Sequence, residues 1–239
     1  MGSHEKRLMK RRDWLVATSL GAGGMMLARP TTLPAAAADP RVGWAPPSPD
    51  LTPKQALERL LEGNRRFAEG KPIAPNRSMA RLREVAPDQK PFAAVLSCAD
   101  SRVPVELLFD QGFGDLFVVR VAGNVVTPEE MASLEFGTLV LGAKVIYVLG
   151  HSGCGAIKAA MAGTPVPGQI SVLFQHLRSA VRAGMGDLAK ATEANVRVQV
   201  GNLTESSTVL SGLIKEGKLS IAGGVYQLST GAVEPVAIA

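Results

Sequence analysis

The chain has 239 residues, 46% of them hydrophobic and 5% aromatic, enough apolar material for the core of one domain of ordinary size. Its formal charge of +5 is concentrated at the front. Six basic residues (Lys6, Arg7, Lys10, Arg11, Arg12, Arg29) and two acids (Glu5, Asp13) precede residue 39, leaving 20 basic residues against 19 acidic ones in the rest. A near-neutral body excludes the basic footprint of a nucleic-acid-binding protein, and no internal repeat divides it.

Residues 1–38 read as an address rather than as part of the fold. Lys10-Arg-Arg-Asp-Trp-Leu15 resembles a twin-arginine export signal, with Trp14 where Phe is usual. The weakly apolar Val16–Ala28 and the Ala-rich stretch Ala35–Ala38 follow, so cleavage is expected near Ala38. A stable membrane anchor is not expected, because the apolar stretch falls short of the ~20 residues needed to span a bilayer and Gly21, Gly23 and Gly24 dilute it. The mature protein is therefore expected outside the cytoplasm, in the periplasm or an equivalent compartment. Residues 39–50 contain Pro40, Pro46, Pro47 and Pro49 and read as an extended linker. A single domain is expected over 51–239.

The first helix starts at Thr52, a good N-cap, with Pro53 at N1 and Gln55 completing a capping box; Leu57, Leu60, Leu61 and Phe67 follow at helical spacing to about Gly70. Phe92–Ser97 is a nearly continuous apolar run of strand length, Val105–Phe109 a short helix, and Asp115–Val121 a second strand. Pro128 opens a helix expected to reach about Leu141. The third strand is expected over Lys144–Leu149, and helices over Gly153–Met161, Ile170–Arg182 and Asp187–Lys215, the last weakly broken at Gly201 and Gly212. Leu219–Val236 alternates β-branched and small residues and reads as two strands joined by a turn near Gly231. Strands alternating with helices imply an α/β fold.

Both cysteines of the chain and one of its three histidines lie in two short clusters, Cys98-Ala-Asp100-Ser-Arg102 and His151-Ser-Gly-Cys154, each directly after a strand-like run. Two thiolates, an imidazole and a nearby carboxylate make a tetrahedral donor set for zinc. A disulfide is the other use of two cysteines in an exported chain, but it requires neither His151 nor the Asp100/Arg102 pair. Apolar runs of this kind mark strands covered on both faces of a parallel sheet. Both clusters then sit at carboxyl edges, where open α/β sheets bind ligands, provided the two strands are neighbours.

These clusters, together with Gly114-Asp-Leu-Phe-Val-Val-Arg-Val-Ala-Gly-Asn124 between them, resemble the motifs of the β-class carbonic anhydrases in order and approximate spacing. The resemblance spans about residues 50–235. It implies a mainly parallel β-sheet flanked by helices with an antiparallel C-terminal edge, and a homodimer or higher homo-oligomer in which helix 52–69 reaches across to the partner. Some members carry a Trp on the first strand that helps form a non-catalytic bicarbonate site, where this chain offers Val95.

The resemblance further implies one Zn(2+) per chain on Cys98, His151 and Cys154, with Asp100 either completing the tetrahedron or turned away to Arg102. The implied reaction is the reversible hydration of carbon dioxide to bicarbonate and a proton by zinc-bound hydroxide, gated by Asp100 and Arg102 and favoured in alkaline conditions. Ala122-Gly-Asn124 could line the crevice with backbone donors or be a plain strand-to-helix turn, and Val103 could be a wall or ordinary packing. His176 and His4 stay outside the site. Two other functions remain open: a CS2 or COS hydrolase on the same scaffold, and a non-catalytic zinc-stabilised or disulfide-stabilised protein.

Overall fold

A computed structural model describes residues 51–238 of the chain. The leader and linker expected over residues 1–50 lie outside the described residues.

Helix α1 (Pro53–Ala68) opens on the expected capping box: the Thr52 side chain accepts from the Gln55 N–H while the Gln55 side chain accepts from the Thr52 N–H. The elements that follow are α2 (Met79–Val85), β1 (Ala93–Ser97), α3 (Val105–Leu108), β2 (Leu116–Arg120), α4 (Pro128–Glu135) and β3 (Val145–His151). The C-terminal part comprises α5 (Gly155–Ala162), α6 (Ser171–Gly184), α7 (Leu188–Ser206), α8 (Thr208–Lys215), β4 (Ser220–Tyr226) and β5 (Val233–Pro235). The sheet has the order β2-β1-β3-β4-β5, parallel across its first three pairings and antiparallel between β4 and β5. This is the expected α/β fold with an antiparallel C-terminal edge.

Period-two alternation sends side chains to the two faces of the sheet. Ala94, Leu96, Ile146 and Val148 share one core with Leu134 of α4, Val196, Val200 and Leu203 of α7 and Leu210 of α8. Ala93, Val95, Val145, Tyr147 and Leu149 share the other with Ala56 and Leu60 of α1 and Val105 and Leu108 of α3. Every residue of β1 and β3 is therefore buried, which is why both read as continuous apolar runs. Ala56 and Leu60 of α1 pack on the sheet of their own chain. A third cluster, with Cys98, Val125, Cys154, Ile157, Leu177 and Ala191, lies past the carboxyl ends of the strands.

The structure departs from the expected elements where side chains override propensity. The long C-terminal helix breaks at Ser207 rather than at Gly201 or Gly212. The Ser207 hydroxyl accepts from the Leu210 N–H at 3.0 Å, capping α8, and donates to Glu135 at 2.6 Å. Helix α4 stops at Glu135 and continues as a π-helical turn, Phe136–Val140, in which Thr138 donates to the Leu134 carbonyl at 2.8 Å. Helix α2 lies outside the expected elements; it is only seven residues long and buries none of them, and Ser78 caps it. Strand β3 runs two residues further than expected because β4 stays paired with it through Gly150↔Val225 and His151↔Tyr226.

Two glycines let α7 approach the sheet closely enough to serve the site. A Cβ on Gly223 would collide with Val196 of α7, and one on Gly150 would crowd the same residue. Gly223→Ala is expected to cost about 1–3 kcal/mol through overpacking, read as a lower midpoint in urea, with Val196→Ala in the same chain recovering part of the loss.

Candidate metal centre

The strand order places the centre. From β1 the chain crosses to β2 on one side, and β3 lies on the other, so the carboxyl ends of β1 and β3 flank the switch point of the sheet. These strands pair directly, with Ser97 opposite Leu149. Cys98 follows Ser97 immediately, and β3 extends to put His151 at the same edge. A turn through Gly153, whose φ of +68° suits glycine, then returns Cys154 to the N-cap position of α5.

The ligating atoms of Cys98, His151 and Cys154 all lie within 4.8 Å of one another, and all three residues are buried. Both cysteines are free thiols. Nδ1 of His151 lies 3.0 Å from the Ser152 carbonyl oxygen. A carbonyl only accepts, so Nδ1 carries the proton and Nε2 keeps its lone pair. Nε2 is buried and makes no hydrogen bond among the described residues. An orphaned buried acceptor beside two sulfurs is poorly satisfied by the protein alone and suits a cation. The second-layer carbonyl on Nδ1 is the usual way a metal-binding imidazole is oriented.

The two sulfurs share their protons unevenly. A hydrogen bond from Cys154 draws the Cys98 thiol well below the ordinary range, helped by the Gly123 N–H, which donates to Cys98 Sγ at 3.3 Å. Cys154 is pushed up in turn, first by its bond to Cys98 and then by burial, although the first amides of α5 at Ile157 and Ala156 oppose this. Two adjacent thiolates need a positive charge between them, and a divalent ion provides one. The donor set, two sulfurs and one imidazole nitrogen, therefore fits zinc.

Asp100 stands at the mouth of this group. Arg102 holds it in a fork, Nε to Oδ1 at 3.0 Å and Nη2 to Oδ2 at 2.8 Å, and the Arg102 backbone N–H adds a bond to Oδ1 at 2.9 Å. These bonds, led by the side chain of Arg102, hold the carboxyl well below the usual carboxylate range. Oδ2 is also 3.8 Å from His151 Nε2. The five residues singled out in the sequence thus meet at one edge.

The other candidates separate. Gly123 does supply a backbone donor, to Cys98 Sγ, so the Ala122-Gly-Asn124 segment is more than a turn. Val103 and Val95 belong to the core against α1 and α3. His176 is half-buried on α6 and bonded to the Gln175 side chain, apart from the cluster, and His4 lies outside the described residues. Sequence reasoning missed a supporting layer. Asn195 and Gln199 of α7 donate to and accept from the segment after β2, at the Gly123 carbonyl (2.8 Å) and the Val126 N–H (2.8 Å). Arg120 at the end of β2 reaches the Cys98 and Asp100 carbonyls at 3.1 and 2.7 Å. An i, i+4 pair of amides on an otherwise buried helix face was the signal for Asn195 and Gln199.

Comparison with known proteins agrees with this geometry. The sequence profile of the family described as carbonic anhydrase matches residues 93–233. Carbonic anhydrase 2 of Mycobacterium tuberculosis is 38% identical over 191 residues, covering 77% of this chain and 92% of its own. Among solved structures, the Coccomyxa β-carbonic anhydrase superposes with a TM-score of 0.61 at 31% identity, covering 75% of this chain and 86% of its own. The tetrameric β-carbonic anhydrases of Sordaria macrospora share the fold, with a TM-score of 0.61 at 21% identity over 75% of this chain and 96% of theirs. On its profile, its relatives and its sheet topology, the chain belongs to the carbonic anhydrase family, in the β-class.

Proposed function

We propose that this chain catalyses the reversible hydration of carbon dioxide to bicarbonate and a proton, with one zinc ion per chain held by Cys98, His151 and Cys154. Carbonic anhydrase activity follows from the family and its named relatives. The observation that carries the metal reading is the meeting of two free thiols and an unpartnered Nε2 within 4.8 Å. Zinc, when bound, supplies a Lewis acid that lowers the pKa of a water in its fourth position and so provides the nucleophile for carbon dioxide.

The chain's own residues set the conditions. The Ser152 carbonyl fixes the His151 tautomer, and the Gly123 and α5 amides steady the two sulfurs as anions. Asp100 has two uses for one carboxylate, as a fourth donor to the ligand cluster or as an ionised acceptor turned toward Arg102. The structure holds it in the second state. Because Arg102 keeps it ionised far into acid, its protonation cannot be the source of pH dependence near neutrality. Activity is expected to rise in alkaline solution, where hydroxide would compete better with the Asp100 carboxylate for a bound zinc.

A non-catalytic zinc protein has no use for Arg102, whose fork draws Asp100 out of a closed four-ligand set. A CS2 or COS hydrolase would use the same ligands, so substrate choice is tested directly. We further propose that the chain is exported through the twin-arginine-type leader around Lys10–Leu15, and that it works as a homodimer or a higher assembly of itself. Among the described residues no helix is long and apolar enough to cross a membrane. Exposed Phe136 packs its ring against Phe117 of the outer strand β2 and, with exposed Leu139 and Val140 of the same π-helical turn, offers apolar surface for a second copy.

Stopped-flow measurement on the zinc-loaded chain is expected to show rapid hydration of carbon dioxide and no comparable turnover of CS2; the reverse preference would replace this function with the hydrolase. Cys98→Ser, His151→Ala and Cys154→Ser should each lose zinc and activity together. In Arg102→Ala the carboxylate loses the partner that turns it outward, so zinc content should stay near one per chain while turnover falls by about 10²-fold or more. In Asp100→Ala zinc should also be retained and the alkaline rise should flatten. Rates and pH profiles unchanged in both variants would make Asp100 and Arg102 an ordinary surface pair.

A further inference from the structure

Main-chain pairing between β1 and β2 ends where the metal centre begins. The Val121 N–H donates to the Ser97 carbonyl at 3.1 Å, the Ala99 N–H donates to the Val121 carbonyl at 3.3 Å, and the strands then part. Cys98, the first ligand, lies within this last pairing, and the gate follows it in Asp100-Ser-Arg102, in a turn that is intrinsically looser than a ladder. Arg120, paired with Ser97 as the last residue of β2, extends its side chain over this gap. Its Nε donates to the Cys98 carbonyl at 3.1 Å and its Nη2 to the Asp100 carbonyl at 2.7 Å. The second carbonyl also accepts from the Val103 N–H at 3.0 Å, closing the turn. One rigid, planar guanidinium thus ties the backbone on both sides of Ala99, a spacing that a single ammonium head cannot bridge in the same way.

Building on the zinc reading above, we propose that Arg120 is a positioning residue of the metal centre: by bridging the Cys98 and Asp100 carbonyls it locks the turn that aims the Cys98 sulfur and sets the starting place of the Asp100 carboxylate. Its role is complementary to that of Arg102. Arg102 grips the Asp100 side chain and leaves the main chain alone, whereas Arg120 grips only main chain. Removal of Arg102 should therefore be read in turnover, and removal of Arg120 in how firmly the metal is held. Outer-layer partners of metal ligands commonly change affinity by about 10–100-fold.

The test uses the full chain loaded with zinc and, separately, with cobalt(II), in the unmodified form and as Arg120→Ala, Arg120→Lys and Arg102→Ala. Arg120→Ala should surrender zinc to excess chelator at least about tenfold faster than the unmodified chain and show a shifted or broadened thiolate-to-cobalt absorption band. Arg102→Ala should release zinc no faster than the unmodified chain. Arg120→Lys, which keeps the charge but loses the fork, should recover only part of the difference, and it carries the test alone if circular dichroism shows that Arg120→Ala does not fold. Unchanged release and spectrum in Arg120→Ala, or full recovery by lysine, would overturn the bridging role. Failure of the unmodified chain to bind zinc or hydrate carbon dioxide would instead overturn the function on which the inference rests.

Discussion

The parallel pairing of β1 with β3 is the constraint on which everything else depends. Cys98 and His151 are 53 positions apart, and they meet only because Ser97 stands opposite Leu149 and each strand delivers its next residues to the same edge. A slip of one residue along either strand would exchange the two cores, sending Val95 and Leu149 where Leu96 and Val148 now pack. Register is therefore fixed by hydrophobic burial on both faces, and the Cys98/His151/Cys154 cluster inherits its geometry from the core. The same packing that fixes the strands therefore fixes where the three donors stand.

Around those donors the chain builds a graded polar shell. The innermost contacts are main-chain groups, the Ser152 carbonyl on His151 and the Gly123 amide on Cys98. The next layer fixes that main chain: Asn195 holds the Gly123 carbonyl and Gln199 holds the Val126 amide. Helix α7 can reach this position because Gly150 and Gly223 leave room for Val196 against β3 and β4. Small residues in the sheet, a buried amide pair on a helix and a thiolate at the strand edge thus form one chain of cause. Flexible surface contacts would hold sulfur atoms less firmly, since their bonds compete with water.

Much of this was legible in the residues because the signals were local. Continuous apolar runs marked β1 and β3, the Thr52/Gln55 box marked α1, and two clusters directly after strands marked the donors. What escaped depended on partners distant in sequence. Ser207 ends α7 because its hydroxyl finds both Leu210 and Glu135, while Gly201 and Gly212, the apparent weak points, are carried within helices. Helix α2 spans only seven residues, two turns in which Met79, Leu82 and Val85 make too short a pattern to stand out. Arg120 sits at the exposed end of a half-buried strand, where arginine is unremarkable; only the path of β2 beside the Cys98 turn gives it carbonyls to hold.

On the proposed function, two sulfurs and the unpartnered nitrogen of His151 hold zinc with a fourth position left to oxygen. X-ray absorption at the zinc edge tests it most directly on the full chain as purified. Two sulfur scatterers, one imidazole nitrogen and one oxygen per zinc are predicted, with zinc near one per chain. A shell of only nitrogen and oxygen, or a protein that carries a Cys98 to Cys154 disulfide and no zinc, would contradict it.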